Sequence, residues 1–112
     1  MLFRSCIDYL SVNYCNKDLS QETVSGLFHL SPSYFGALFK SVTGKTFVQY
    51  LNNLRVENAY RMLTSSNMKI YQIAEKVGFS DVHYFIRVFR KIAGTSPNQY
   101  RAVYSPGKGG DP

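Results

Sequence analysis

The chain has 112 residues, the size of a single domain, and 45% of them are hydrophobic while 18% are charged. This composition is typical of folded proteins and excludes a largely disordered chain. The sequence contains neither an apolar run of about 20 residues, which a membrane span requires, nor a signal-peptide pattern at its start. We therefore expect a cytoplasmic protein with no membrane partner.

The charge of the chain is positive and unevenly distributed. Thirteen Lys and Arg residues against seven Asp and Glu residues give a net charge of +6. Residues 1–30 contain two basic and three acidic residues, whereas residues 31–112 contain eleven basic and four acidic ones. A basic surplus attracts polyanions, so we expect the later part of the chain to meet such a partner.

Helix start and stop signals predict seven helices and hence an all-α fold. The first helix begins near residue 3, and later starts are marked by side chains that can cap a helix, twice with Pro at the first helical position. The predicted caps are Ser20, Ser31, Thr46, Ser80 with Asp81, and Ser96. Thr46 and Ser96 are each followed three residues on by Gln, the pattern of a capping box. The longest helix is predicted over residues 46–64 and a short one over about 69–77. Glycines end the short helix and two others, at Gly78, Gly44 and Gly94.

Apolar residues three and four apart predict which face of each helix packs inward. In chain order, these residues are Phe3, Ile7, Leu10, Tyr14, Val24, Leu27, Phe28, Phe35, Leu38, Phe39, Val42, Phe47, Tyr50, Leu51, Leu54, Ala59, Met62, Leu63, Ile70, Ile73, Val77, Tyr84, Phe85, Val88, Phe89 and Ile92. Tyr34 and Tyr100 are also predicted to pack in the core rather than to stack on bases. Cys6 and Cys15 are predicted on one helix about 13 Å apart, too far for a disulfide, so we expect free thiols.

A repeat within the chain is the most informative feature of the sequence. Residues 33–50 align with residues 83–100 at an offset of fifty, with six identical positions. Upstream the offset is forty-nine, and each copy is a short helix, a turn of about four residues and a second helix, the pattern of a helix-turn-helix. The helix between them, about 28 Å long, is close to the roughly 34 Å between neighbouring major-groove windows. Because the copies follow head to tail, we expect a monomer on a non-palindromic site.

The second copy resembles the DNA-binding domain of the AraC/XylS family of bacterial transcription regulators. Its sequence over residues 73–101 is IAEKVGFSDVHYFIRVFRKIAGTSPNQYR, and the match extends from about residue 19 to residue 101. Arg55 and Ala59 fall on the linker helix of the family. The resemblance implies two helix-turn-helix subdomains, at about residues 1–45 and 67–104, joined by the linker helix 46–64 and followed by a disordered tail, 105–112.

The resemblance also implies how the protein acts. The third and sixth helices would enter adjacent major grooves of double-stranded DNA, RNA polymerase would be a second partner, and a separate sensor or receiver domain would read a signal. Because the first helix begins almost at residue 1, we expect a C-terminal piece of a longer regulator. Arg55 would brace the subdomains through an ion pair with a carboxylate.

The candidate DNA contacts lie on the faces of these two helices opposite the apolar residues. They are Ser33, Gly36, Ala37 and Lys40 in the first copy, and Val82, His83, Ile86, Arg87 and Arg90 in the second. Arg87 is the best candidate for a bidentate contact with guanine, because its fork matches O6 and N7. Gly36 and Ala37 are smaller than the residues usual in the family, which weakens base recognition by the first copy.

Other functions have less support in the sequence. There is no paired-carboxylate site, metal-ligand spacing or glycine-rich phosphate loop, so we expect no enzyme activity, no catalytic residue, no cofactor and no metal. A binder of RNA or single strands would need exposed aromatic platforms, and none is evident. A helical protein-interaction module remains the alternative, and it would show no salt-dependent affinity for DNA.

Overall fold

The computed structural model describes residues 2–105, and this part of the chain consists of seven α-helices with no strand, as the sequence predicts. The helices are α1 Leu2–Asn13, α2 Gln21–Leu27, α3 Pro32–Thr43, α4 Phe47–Ser65, α5 Ile70–Val77, α6 Val82–Ala93 and α7 Pro97–Tyr104. The predicted disordered tail lies, from residue 106 onward, outside the described residues.

The chain divides into two compact units, Met1–Leu54 and Arg55–Pro112, so that the first turns of α4 belong to one unit and the rest to the other. Each unit contains one predicted helix-turn-helix, formed by α2 and α3 in the first and by α5 and α6 in the second. The predicted limits of the subdomains stay a prediction.

The predicted helix starts are confirmed by the hydrogen bonds at their caps. Ser31 Oγ accepts from the backbone N–H of Tyr34 at 3.2 Å, and Pro32 occupies the first helical position. Thr46 forms the predicted capping box, in which its hydroxyl accepts from Gln49 N at 3.2 Å and Gln49 Oε1 accepts from Thr46 N at 3.0 Å. These bonds satisfy backbone donors that have no partner within the helix, which fixes where each helix begins.

Only one of the two hydrogen bonds of the capping box predicted at Ser96 is present. Ser96 Oγ accepts from Gln99 N at 3.1 Å, but Gln99 Oε1 accepts from the hydroxyl of Thr95 at 2.8 Å and not from the backbone of Ser96. A neighbouring hydroxyl therefore competes for the glutamine oxygen. At Ser20 the reciprocal partner is Thr23, whose Oγ1 accepts from Ser20 N at 2.9 Å.

The core of the first unit is built around Phe39. Its ring centroid lies 5.4 Å from that of Phe3, 5.7 Å from Phe35, 5.5 Å from Phe47 and 5.2 Å from Tyr50. The fully buried members of this core are Cys6, Leu10, Val24, Phe35, Phe39, Phe47 and Leu51. These rings connect α1, α3 and α4, which gives α3 a fixed inner face and leaves its opposite face outward.

The second unit has an equivalent core around Phe89, which is fully buried. Its ring lies 5.8 Å from Phe85, 5.4 Å from Tyr60 and 5.8 Å from Tyr100. A contact that the sequence analysis did not foresee joins α7 to the end of α4. Arg101 Nε donates to the carbonyl of Leu63 at 3.0 Å, and its Nη2 donates to the carbonyl of Ser66 at 3.3 Å, which caps the C-terminus of α4.

Five residues predicted to pack inward are exposed instead. They are Leu27, Tyr34, Val42, Tyr84 and Ile92. Leu27, Val42 and Ile92 lie at the last residue or in the last turn of their helices, at the edge of the contact with the core. The two tyrosines each precede a buried phenylalanine, and because consecutive helical residues point about 100° apart, only one of such a pair can face the core.

The two cysteines are free thiols, as predicted, although α1 ends before the second of them. Cys6 is buried in the first core and Cys15 is exposed. Burial raises the pKa of Cys6 from its ordinary value of 9.0 to about 11, because the thiolate loses its hydration there. Burial, with smaller contributions from Tyr100 and Glu57, also raises the pKa of Tyr60. Neither group lies on α3 or α6.

Candidate nucleic-acid interface

The turns before α3 and α6 have the same backbone hydrogen bonds. In the first turn Leu30 N donates to Ser25 O at 3.0 Å and His29 N donates to Gly26 O at 3.2 Å. In the second turn the donors and acceptors forty-nine residues later form the same bonds, at 2.9 Å and 3.2 Å. The repeat detected in the sequence is therefore a repeat of backbone structure, and both units contain a helix-turn-helix.

The left-handed residue of each turn differs between the copies. Gly78 has φ 112°, which glycine adopts without cost, whereas His29 at the same position has φ 60°. A non-glycine residue rarely takes this conformation, although histidine does so more often than most. The left-handed conformation gives His29 a structural role, because it leads the chain out of α2 into the turn that precedes α3.

On α3, three of the four candidate residues are exposed, namely Ser33, Ala37 and Lys40. Gly36 is half-buried, because the side chain of Gln21 from α2 occupies the space that a side chain at position 36 would take. Gln21 Nε2 donates to the carbonyl of Pro32 at 2.7 Å. A residue that the sequence analysis did not name thus covers part of the surface expected at Gly36.

On α6, His83, Arg87 and Arg90 are exposed, and Val82 and Ile86 are half-buried. Asp81 begins the helix by accepting from the backbone N–H of His83 at 2.9 Å. The guanidinium of Arg87 lies over the ring of Tyr84, with its carbon 5.6 Å from the ring centroid. All five candidates therefore lie at or near the surface of one helix.

The charged side chains of α3 and α6 are all basic, but α6 has more of them. Neither helix contains an acidic residue, and α3 has Lys40 as its one cation. The last turn of α6 carries Arg90 and Lys91 in addition to Arg87 one turn earlier. The second unit therefore presents the stronger positive potential to a polyanion. Among residues 2–105, no cluster of His, Cys, Asp and Glu that could hold a metal ion is found.

Arg55 lies on α4 and is 7% exposed. Its guanidinium carbon is 5.4 Å from the centroid of the ring of Phe79, which lies in the turn of the second helix-turn-helix. This contact is of the cation–π type, which gains strength where the cation is withdrawn from water. The predicted ion pair of Arg55 with a carboxylate stays a prediction.

The comparisons with known proteins agree with this architecture. The model of a family described as "Helix-turn-helix domain" matches residues 24–102. The uncharacterized HTH-type transcriptional regulator YijO of Escherichia coli is 37% identical over 103 residues, which cover 92% of this chain but only 36% of that protein. The chain thus spans about a third of the length of this curated relative.

Solved structures show the same fold. The C-terminal domain of AraT, a response regulator from Geobacillus stearothermophilus, superposes with a TM-score of 0.91 at 34% identity, covering 98% of this chain and 91% of that domain. The DNA-binding domain of the global transcriptional factor AdpA, solved in complex with a target DNA, superposes with a TM-score of 0.85 at 28% identity, covering 90% of each chain. No helix within residues 2–105 combines the length and apolar character needed to cross a membrane. By its doubled helix-turn-helix, its family match and these relatives, the chain belongs to the AraC-type family of transcription-regulator DNA-binding domains.

Proposed function

We propose that this chain binds double-stranded DNA sequence-specifically, as the DNA-reading part of a longer bacterial transcription regulator in the cytoplasm. The observation that carries the proposal is the repeated helix-turn-helix, in which each second helix has an exposed face free of acidic residues. The complex of the related AdpA domain with a target DNA supports it. A protein-interaction module would not require two such faces with an excess of basic residues.

The two units contribute differently in this proposal. On α6, Arg87 recognises guanine through the fork of its guanidinium, while Arg90 contacts phosphate. On α3, the short side chains of Ser33 and Ala37 allow close approach of the helix to the groove, where a methyl group can meet the methyl of thymine. Lys40 contacts phosphate. The first unit therefore mainly positions the protein, and the second supplies most of the sequence preference.

The target site follows from the head-to-tail order of the copies. We infer a non-palindromic site in which one chain places its recognition helices in neighbouring major grooves. The domain that senses a signal and a contact with RNA polymerase belong to the longer regulator, because the relatives extend well beyond this chain. We propose the sensing domain and the polymerase contact for that longer protein and not for this chain.

A selection of binding sites from random duplex DNA, followed by two matched substitutions, tests this function. Arg87→Ala should cost about 1–3 kcal/mol on the selected duplex and relax the preference at one base pair. Arg90→Ala, three residues further along the same helix, should weaken binding to all duplexes alike and reduce the salt slope by about one. Absence of any salt-dependent binding to duplex DNA would instead favour the protein-interaction module.

A further inference from the structure

Four side chains of the second unit form a continuous series of cation–π and ring–ring contacts that leads from its core to the recognition helix. The guanidinium of Arg55 lies over the ring of Phe79 at 5.4 Å, the rings of Phe79 and Tyr84 are 5.9 Å apart, and the guanidinium of Arg87 lies over Tyr84 at 5.6 Å. Phe79 is 3% exposed and Tyr84 is 37% exposed. The series of contacts therefore starts at a buried arginine and ends at an exposed one.

The first unit keeps the tyrosine and lacks the rest of this series of contacts. Tyr34 aligns with Tyr84, but Leu30 stands in the place of Phe79 and Ala37 in the place of Arg87. Tyr34 is 59% exposed, against 37% for Tyr84. A tyrosine at this position is thus covered more fully where an aromatic ring and an arginine lie against it. The repeat supplies a natural control within one chain.

From this series of contacts we infer that Tyr84 is a positioning residue for base recognition by Arg87, an inference that rests on the proposed function. An arginine side chain that contacts a base must give up rotamer freedom, and a ring that already holds the guanidinium reduces that loss. The contact uses the face of the ring and none of the five N–H donors of Arg87, so the fork stays available for guanine. Phe79 supports the tyrosine ring through the ring contact at 5.9 Å, in which the two planes are tilted by 58°.

The test uses two duplexes, the one selected by the unaltered protein and a second that differs at the base pair whose preference Arg87→Ala relaxes. The readout is the ratio of the two affinities. Tyr84→Leu should lower this ratio about two- to five-fold, the range expected for an exposed cation–π contact. Tyr84→Phe, which keeps the ring, should retain the ratio, and Tyr34→Leu, the matched change in the first unit, should leave it unaltered.

Two further measurements separate positioning from a structural role. In the Arg87→Ala background, Tyr84→Leu should not change the ratio further, because the tyrosine acts through the arginine. In the unaltered protein, the Nε–H proton of Arg87 should show an upfield ring-current shift in the NMR spectrum. This measurement needs no substitution, so it holds even if Tyr84→Leu disturbs folding.

The outcomes distinguish this inference from the proposed function. Equal loss on both duplexes, an unchanged ratio in Tyr84→Leu, or an Arg87 proton without a ring-current shift would overturn the role of Tyr84 while leaving DNA binding intact. If the unaltered protein prefers no duplex at all, the proposed function fails first and the inference fails with it.

Discussion

Gly36 and Gln21 offer a sharp test of the packing between the two helices of the first helix-turn-helix. An alanine at a helix-interior glycine usually stabilises a protein by about 1 kcal/mol. At position 36, however, the added Cβ would collide with the amide of Gln21, which donates a 2.7 Å hydrogen bond to Pro32. Displacing that amide forfeits a hydrogen bond with a net value of about 0.5–1.5 kcal/mol.

The two contributions nearly cancel, so Gly36→Ala alone should change the free energy of unfolding by less than about 0.5 kcal/mol. In a Gln21→Ala background there is no amide to displace, and the same substitution should stabilise the protein by about 1 kcal/mol. The double-mutant cycle should therefore report a coupling of about 1 kcal/mol between the two positions. Urea unfolding followed by circular dichroism at 25 °C measures all four variants.

The control is Gly26→Ala, since a Cβ at Gly26 meets nothing within 4 Å. That substitution should give the same stabilisation with or without Gln21. Full stabilisation by Gly36→Ala in the unaltered protein, with no coupling to Gln21, would refute the close approach of the two side chains.

Four other predictions concern the second core, the cap of α4 and the thiols. Phe89→Ala should cost roughly 3–5 kcal/mol of stability in urea unfolding, because the ring is fully buried among other rings; unchanged unfolding would disprove this packing. Arg101→Ala should cost about 1.5–3 kcal/mol by removing the cap of α4, and Arg101→Lys should not restore both bonds. Iodoacetamide at pH 8.5 should modify Cys15 in the folded protein and Cys6 only after unfolding. Because folding raises the pKa of Cys6, the neutral thiol favours the native state below pH 9, and this contribution to stability should be lost as the pH rises towards 11. The Cys6→Ala variant should not show this loss.

The local features of the fold were predictable from sequence because they depend on residues a few positions apart. Ser31 with Pro32, and Thr46 with Gln49, specify helix starts through bonds within one turn. The repeat likewise predicted two helix-turn-helix units, because alignment at a fixed offset needs no knowledge of packing. Gly44 at the end of α3 follows the same local logic.

Periodicity predicted which side of each helix faces inward but not how far the packed surface extends. Val42 and Ile92 continue the apolar stripes of α3 and α6, yet they lie where no other helix covers them fully. Cys6 was not predicted in the core, although it lies one turn from Leu10 and is equally buried. The width of a buried face depends on the partner helices, which a single stripe does not encode.

Contacts between distant residues were beyond the reach of the sequence. The bond from Arg101 to the carbonyl of Leu63 joins residues 38 apart. No spacing rule indicates that the side chain of Gln21 lies over Gly36 or that Arg55 lies over the ring of Phe79. These contacts modify the candidate interface, so the residue types of the site were predictable while the positions of their side chains were not.

The central claim is that one chain reads DNA through two copies of the same element. Footprinting of the selected duplex with the isolated chain tests it most directly. We predict a monomer that protects two stretches on one face of the duplex, about 10 base pairs apart, within a site lacking twofold symmetry. A single protected groove, or a palindromic site that is bound only by a dimer, would contradict it.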